Sequence, residues 1–300
     1  MRTLRLSVAV MVILALLGGP GGAVLAQSEA PDEDITWPKL TRFLRYGDNP
    51  GHVIHVYEPE LRAEPRPAVV FFHGGGLIMG APLQDNEWAK RIAEQGYVTF
   101  MAGYRLFREF DGAHPWPAQL DDAQRAIRWV RAHADEFNVD PERVCAIGHS
   151  SGGHLAGLVG TTEASDDSDP ELAGVSSRVD CVVSISGDVD FMVPSDDTYW
   201  TEMVRDRIYG GTVEEVPEVW QAASPTHNVD EDTVPFLVIH GNRDEDISIE
   251  AARNLAAALA EAGREFVYAE VPADHFDVLD LEAISSLQEA FLAYQLHPEE

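Results

Sequence analysis

The sequence predicts an α/β fold: a three-layer sandwich with a mostly parallel central sheet and a small inserted cap region. Three observations carry that expectation. Short, continuous apolar runs recur along the chain, as strands buried on both faces require. Segments of helical periodicity separate them, which implies crossover connections. The 300 residues show no internal repeat and no change of composition, so one large domain accounts for the chain.

Composition narrows the function classes. Hydrophobic content of 45% and charged content of 24% are those of an ordinary globular protein. The unusual number is charge: 21 Lys+Arg against 51 Asp+Glu gives −30. Nucleic acid and anionic membranes call for a basic face, so neither is an expected partner. Polyanionic substrates are disfavoured for the same reason.

The elements follow in order. Arg2 and Arg5 precede an apolar run from Leu6 to Leu17, a glycine-rich break, and Ala23-Val24-Leu25-Ala26. That pattern reads as a secretory signal over 1–26, cut after Ala26; its apolar core is short for a membrane span. The expected location is secreted or periplasmic, with no stable membrane association after cleavage. Residues 27–40 read as a loose acidic segment, and 41–300 as the folded domain. Strands are expected at Pro67–Phe72, Tyr97–Ala102, Val144–Ile147, Val179–Ile185, Pro235–Ile239 and Phe266–Val271. Leu120, Ala123, Ile127, Val130, Ala134 and Phe137 form one stripe on one helix, with Pro117 in its first turn. Ile249–Ala262 reads as a helix with Ser248 as N-cap and Gly263 as its stop, and Leu281–Leu296 as a closing helix. Between them, 188–232 carries Met192, Trp200, Met203, Tyr209 and Trp220 among many acids and reads as a partly helical cap. Cys145 and Cys181 lie in apolar strand-like stretches and are expected as two buried thiols, with a disulfide, which export would permit, as the alternative.

The chemistry sits where predicted strands end. Gly148-His149-Ser150-Ser151-Gly152 follows Ile147 and opens a small-residue helix, which is G-x-S-x-G in strand–turn–helix context. Ser150 is the candidate nucleophile, at a helix N-terminus that favours developing negative charge. His73-Gly74-Gly75-Gly76 ends an earlier strand, and Gly74, Gly75, Gly76 and Ser151 are the candidate N–H donors to an oxyanion. Asp244 lies just past the strand ending near His240 and is the candidate acid, with Asp246 as fallback. His275 follows the last predicted strand and is the candidate base, completing the order Ser, Asp, His. His149 reads as a pocket wall, His154 as packed and His240 as the cap of a strand. No zinc-ligand or nucleotide-phosphate spacing occurs, and the Asp166, Asp167, Asp169 cluster lacks the pattern of a calcium loop, so neither metal nor cofactor is expected.

These motifs, with Val56-Tyr57-Glu58-Pro59, Gly103-Tyr104-Arg105-Leu106, Asp140-Pro141-Glu142-Arg143-Val144 and Ala223-Ser224-Pro225, give the chain a resemblance from about Tyr46 onward. It resembles the α/β-hydrolase superfamily, and within it the secreted acetyl esterases and feruloyl-esterase-like carboxylesterases near the hormone-sensitive-lipase-like branch. The resemblance implies a cofactor-independent serine esterase acting on short-acyl, small-molecule or glycan-linked esters, with Ser150, Asp244 and His275 as its triad. Many relatives place Trp after the glycine run, where this chain has Leu77-Ile78-Met79. Asp274-His275-Phe276-Asp277 also resembles the base region of kynurenine formamidase. An amidase or arylformamidase, an exopeptidase using the same triad, and a catalytically dead binding scaffold are the alternatives; oligomeric state is left open.

Overall fold

Eight strands hydrogen-bond side by side in the order β1-β2-β4-β3-β5-β6-β7-β8. The structure is a computed structural model that describes residues 38–60, 64–164, 168–194 and 205–297, all within one compact unit, Thr36–Glu300. The expected signal segment lies outside the described residues, as do Asp166, Asp167, Trp200 and Met203.

The strands are β1 (Lys39–Arg45), β2 (Val53–Glu58), β3 (Arg66–Phe72), β4 (Val98–Ala102), β5 (Val139–His149), β6 (Cys181–Ile185), β7 (Phe236–Gly241) and β8 (Phe266–Val271). From β4 through β8 every pairing is parallel, while β1 and β2 add an antiparallel edge. Six of the eight were legible as apolar runs. β1 and β2 are only partly buried and alternate, the mark of an antiparallel edge rather than of a central strand. The first residues of β1, Lys39 and Leu40, fall inside the segment expected to be loose, so the ordered fold begins earlier than predicted.

The continuous apolar runs arise because both sheet faces are covered. Ala68, Val70 and Phe72 of β3 point to one core, Val69 and Phe71 to the other. The first core is closed by α2 (Ala118–Ala132), α3 (Ala134–Phe137), α4 (Ser151–Thr161) and α7 (Ile249–Glu261). The second is closed by α1 (Asn86–Glu94) and α8 (Glu282–Leu296). Each such fully buried Val, Leu or Phe contributes about 1.5–3 kcal/mol.

Two local expectations are corrected. The single stripe from Leu120 to Phe137 is split at His133, and Asn138 ends the second piece in the left-handed region at φ 51°. A stripe of apolar residues shows which face is buried, not whether the backbone runs on unbroken. Cys145 and Cys181 form a disulfide instead of remaining thiols. β5 and β6 are neighbours, and the register sets these two residues directly opposite, with Cα atoms 4.7 Å apart, inside the range a bridge needs.

Among the described residues, the excursion after β6 contains two short α-helices, α5 (Asp206–Tyr209) and α6 (Pro217–Ala222). Its buried Tyr209 and Trp220 join the first core, with ring centroids 4.6 Å apart. α7 begins at Ser248, whose side chain accepts from the Glu250 N–H, and Gly263 follows at φ 66°. Both ends are as predicted.

Candidate active site

Ser150 sits between β5 and α4 with φ 57° and ψ −129°, a conformation that non-glycine residues rarely adopt. The turn is possible because the residues two positions away on each side, Gly148 and Gly152, have no side chains. A Cβ on Gly148 would overlap the backbone of Gly152, and one on Gly152 would overlap the carbonyl of Phe72 on β3. Gly152→Ala should therefore destabilise the protein by about 3 kcal/mol or more, as overpacking against rigid backbone does. Equilibrium urea unfolding checks this, and a change below about 1 kcal/mol would contradict the packing argument.

The glycine run after β3 stands against this elbow. A Cβ on Gly74 would lie 3.1 Å from the His149 carbonyl oxygen and 3.4 Å from Cβ of Ser150. Gly75, Gly76 and Leu77 all have positive φ, at 122°, 61° and 64°. The carbonyl of Gly75 accepts from the N–H groups of Ile78 and Met79, which folds the loop back on itself. Among the described residues, no carbonyl accepts from the N–H of Gly75, Gly76 or Ser151. Behind the loop, the Tyr104 hydroxyl donates to the His73 carbonyl at 2.7 Å, and the two rings stack at 4.3 Å. Burial lowers the His73 pKa to about 4, so the ring is neutral there and adds no charge behind the loop.

Asp244 lies beyond β7 and His275 beyond β8, adjacent parallel strands that deliver both to the same edge. Nδ1 of His275 is 2.8 Å from Oδ2 of Asp244, and the Asp244 side chain is fully buried. Oδ1 of Asp244 accepts from the N–H groups of Asp246 and Ile247, at 3.0 and 2.9 Å. Burial alone would raise the Asp244 pKa; the bonds from His240, His275 and Ile247 outweigh it and hold the carboxyl well below the ordinary range. Asp246, the fallback, is exposed and orients Asp244 through its backbone instead. Asp244, Asp246 and His275 set one donor atom each within 4.8 Å of one another, spacing that a cation can use. Two of the three already share the hydrogen bond that acid–base chemistry requires.

Ser150 and His275 line one cavity of about 440 Å³ with Gly74, Gly75 and Gly76. Among the described residues, no hydrogen bond joins the Ser150 hydroxyl to His275; such pairs often tighten only around substrate. Leu77, Ile78 and Met79 line this cavity too.

Sequence reasoning missed three roles here. His149 lines the cavity as expected, but its Nε2 also lies 2.6 Å from the His275 carbonyl, to which it donates. Burial first, then the neighbouring His275, lower its pKa to about 4. His240 reaches Oδ2 of Asp244 at 3.3 Å, four residues back along β7, and so does more than cap a strand. Asp188 and Arg205 also line the cavity. Asp188 follows a strand end, the position that gave the other candidates, and that rule would have found it; Arg205 carries no comparable signal.

Fold and site together define an α/β hydrolase with a serine at its strand–helix elbow. The chain belongs to the BD-FAE family, whose profile matches residues 54–259. It is 34% identical over 247 residues to the esterase LipC of Mycobacterium tuberculosis, across 80% of this chain and 60% of LipC. The chain thus spans less than two thirds of that relative, and 44% of the length of the probable carboxylic ester hydrolase LipM from the same organism. Among solved structures, the thermophilic esterase Est2 of Thermogutta terrifontis superposes with a TM-score of 0.71 at 28% identity, covering 87% of this chain and 95% of Est2. The acetyl ester-xyloside bifunctional hydrolase of Caldicellulosiruptor lactoaceticus gives a TM-score of 0.71 at 25% identity, with 86% and 96% covered.

Proposed function

We propose that the protein is a serine carboxylesterase for short-acyl esters. The observation that carries this reading is one cavity holding Ser150 on its strained turn, the unbonded N–H groups of Gly75, Gly76 and Ser151, and a His275 oriented by buried Asp244. Ser150 Oγ attacks the ester carbonyl as its proton passes to Nε2 of His275. The N–H groups hold the oxyanion, each worth about 3 kcal/mol in such a hole. The alkoxide leaves with the proton from His275, giving the acyl-enzyme. Water, deprotonated by the same nitrogen, then releases the acid and regenerates Ser150.

Short acyl groups suit the cavity because one wall carries Asp188 and Arg205, and a long alkyl chain laid on such groups would leave them unbonded. Acetyl groups on glycans are the natural substrates we propose, as the name of the acetyl ester-xyloside hydrolase encourages. Export through residues 1–26 would place the enzyme where such polymers occur.

The test is a series of p-nitrophenyl esters from acetate to decanoate, with the matching p-nitroanilide alongside. Acetate and butyrate should exceed decanoate at least about tenfold in kcat/KM, and the anilide should be slower still. An organophosphonate should label Ser150. Anilide turnover above ester turnover would favour the amidase reading; an unlabelled, inactive protein would favour the dead scaffold.

A further inference from the structure

One wall of the cavity is polar in a way the esterase reaction does not use. Asp188 follows β6, lines the cavity with Ser150, and accepts no hydrogen bond from any described residue. Burial pushes its carboxyl above the ordinary carboxylate range, the charge of Arg205 opposing the shift. Arg205 is 5% exposed. Its guanidinium packs against both Phe191 and Trp220, 4.9 and 5.0 Å from their ring centroids. One Nη donates weakly to the Phe191 carbonyl at 3.4 Å, and Nε has no partner among the described residues. The Tyr209 hydroxyl and Nδ1 of His154, both from residues lining the same cavity, also lack partners among the described residues, but both atoms are closed off from the cavity space. The bond from Nε2 of His154 to the Ala223 carbonyl, at 2.6 Å, fixes Nδ1 as an acceptor.

Polar groups withdrawn from bulk water in native proteins are nearly always bonded, so an unbonded, half-buried carboxylate and a nearly buried guanidinium with one weak bond, both lining one cavity, point to a ligand that completes them. The ligand's chemistry follows from the pair. A carboxylate would meet Asp188, and an ammonium would meet Arg205. A hydroxyl suits both, because it donates to Asp188 and accepts from Arg205. We propose that Asp188 and Arg205 form a hydroxyl-binding subsite beside Ser150, which makes the protein select esters carrying a hydroxyl group within a few bonds of the reacting carbonyl. The proposal rests on the esterase reading above and adds the feature that distinguishes good substrates from poor ones.

Matched substrates of equal size test it. 2-Hydroxyethyl acetate against propyl acetate places the hydroxyl in the alcohol half. Ethyl glycolate against ethyl propionate places it in the acyl half. Rates are first divided by those of alkaline hydrolysis, which removes intrinsic reactivity. The wild-type protein should prefer the hydroxylated member of at least one pair by about tenfold or more in kcat/KM, mainly through KM. Asp188→Leu and Arg205→Met should each reduce that preference to about threefold or less. Asp188→Asn, which keeps a hydrogen-bonding group of the same shape, should retain most of it. The absence of a wild-type preference in both pairs, or an equal loss on hydroxylated and alkyl esters in the variants, would overturn the subsite while leaving the esterase standing. No turnover of any of the four esters by the wild-type protein would overturn both.

Discussion

Ser150→Ala should lower kcat on p-nitrophenyl acetate by about 10⁴- to 10⁶-fold while leaving the fold intact. The loss is large because Ser150 alone joins the two halves of the reaction: without its oxygen no acyl-enzyme forms. The oxyanion donors and the cavity survive the change, so a residue of catalysis over water, about 10³-fold, should remain. The fold should survive because the conformation at φ 57° is imposed by the glycines on either side, and alanine is no more strained there than serine. Thermal unfolding of the variant within about 2 °C of the wild type, with phosphonate labelling lost, is the full expected result. Turnover within tenfold of the wild type would mean that another group attacks the ester.

The parts of this molecule that a sequence can reveal are those written into neighbouring residues. The glycine run at His73, the elbow at Ser150 and the acid at Asp244 each follow directly on an apolar strand, so local reading placed them at one edge of a parallel sheet. His275 was found by its place in chain order rather than by any pattern of its own. What stayed hidden depends on which strands become neighbours. The Cys145–Cys181 bridge needs β5 beside β6 in one particular register. The hold of His149 on the His275 carbonyl spans 126 residues of sequence. Asp188 and Arg205 line one cavity although they are well separated in the chain, with nothing in the local sequence to pair them. The break at His133 is hidden for a different reason: the apolar face continues from α2 into α3 while the helix itself does not.

Asp244→Asn should cost about 10⁴-fold in kcat with KM little changed, and its surroundings explain why so similar a side chain fails. The N–H groups of Asp246 and Ile247 both donate to Oδ1. An asparagine must therefore turn its amide oxygen toward them, since its NH₂ would face two donors there. The NH₂ is left pointing at Nδ1 of His275, the contact now made by Oδ2 at 2.8 Å. His275 then accepts at Nδ1 and carries its proton on Nε2, the tautomer that cannot take a proton from Ser150. The lost rate corresponds to about 5.5 kcal/mol of transition-state stabilisation. Nε2 of His240 donates to the Ile247 carbonyl at 3.0 Å and lies 3.3 Å from Oδ2, where the NH₂ would stand against its N–H, so the variant should be less stable as well. That stability difference carries a sign in pH. The Asp244 pKa is lowered on folding, so its ionisation stabilises the protein above the unfolded-state value of about 4 and loses this effect as pH falls toward the folded-state value. Urea unfolding should accordingly show a gap between wild type and variant at pH 7 that narrows at pH 3. Asp244→Asn activity within tenfold of wild type would remove Asp244 from the triad and turn attention to Asp188, a half-buried carboxylate that lines the cavity with His275.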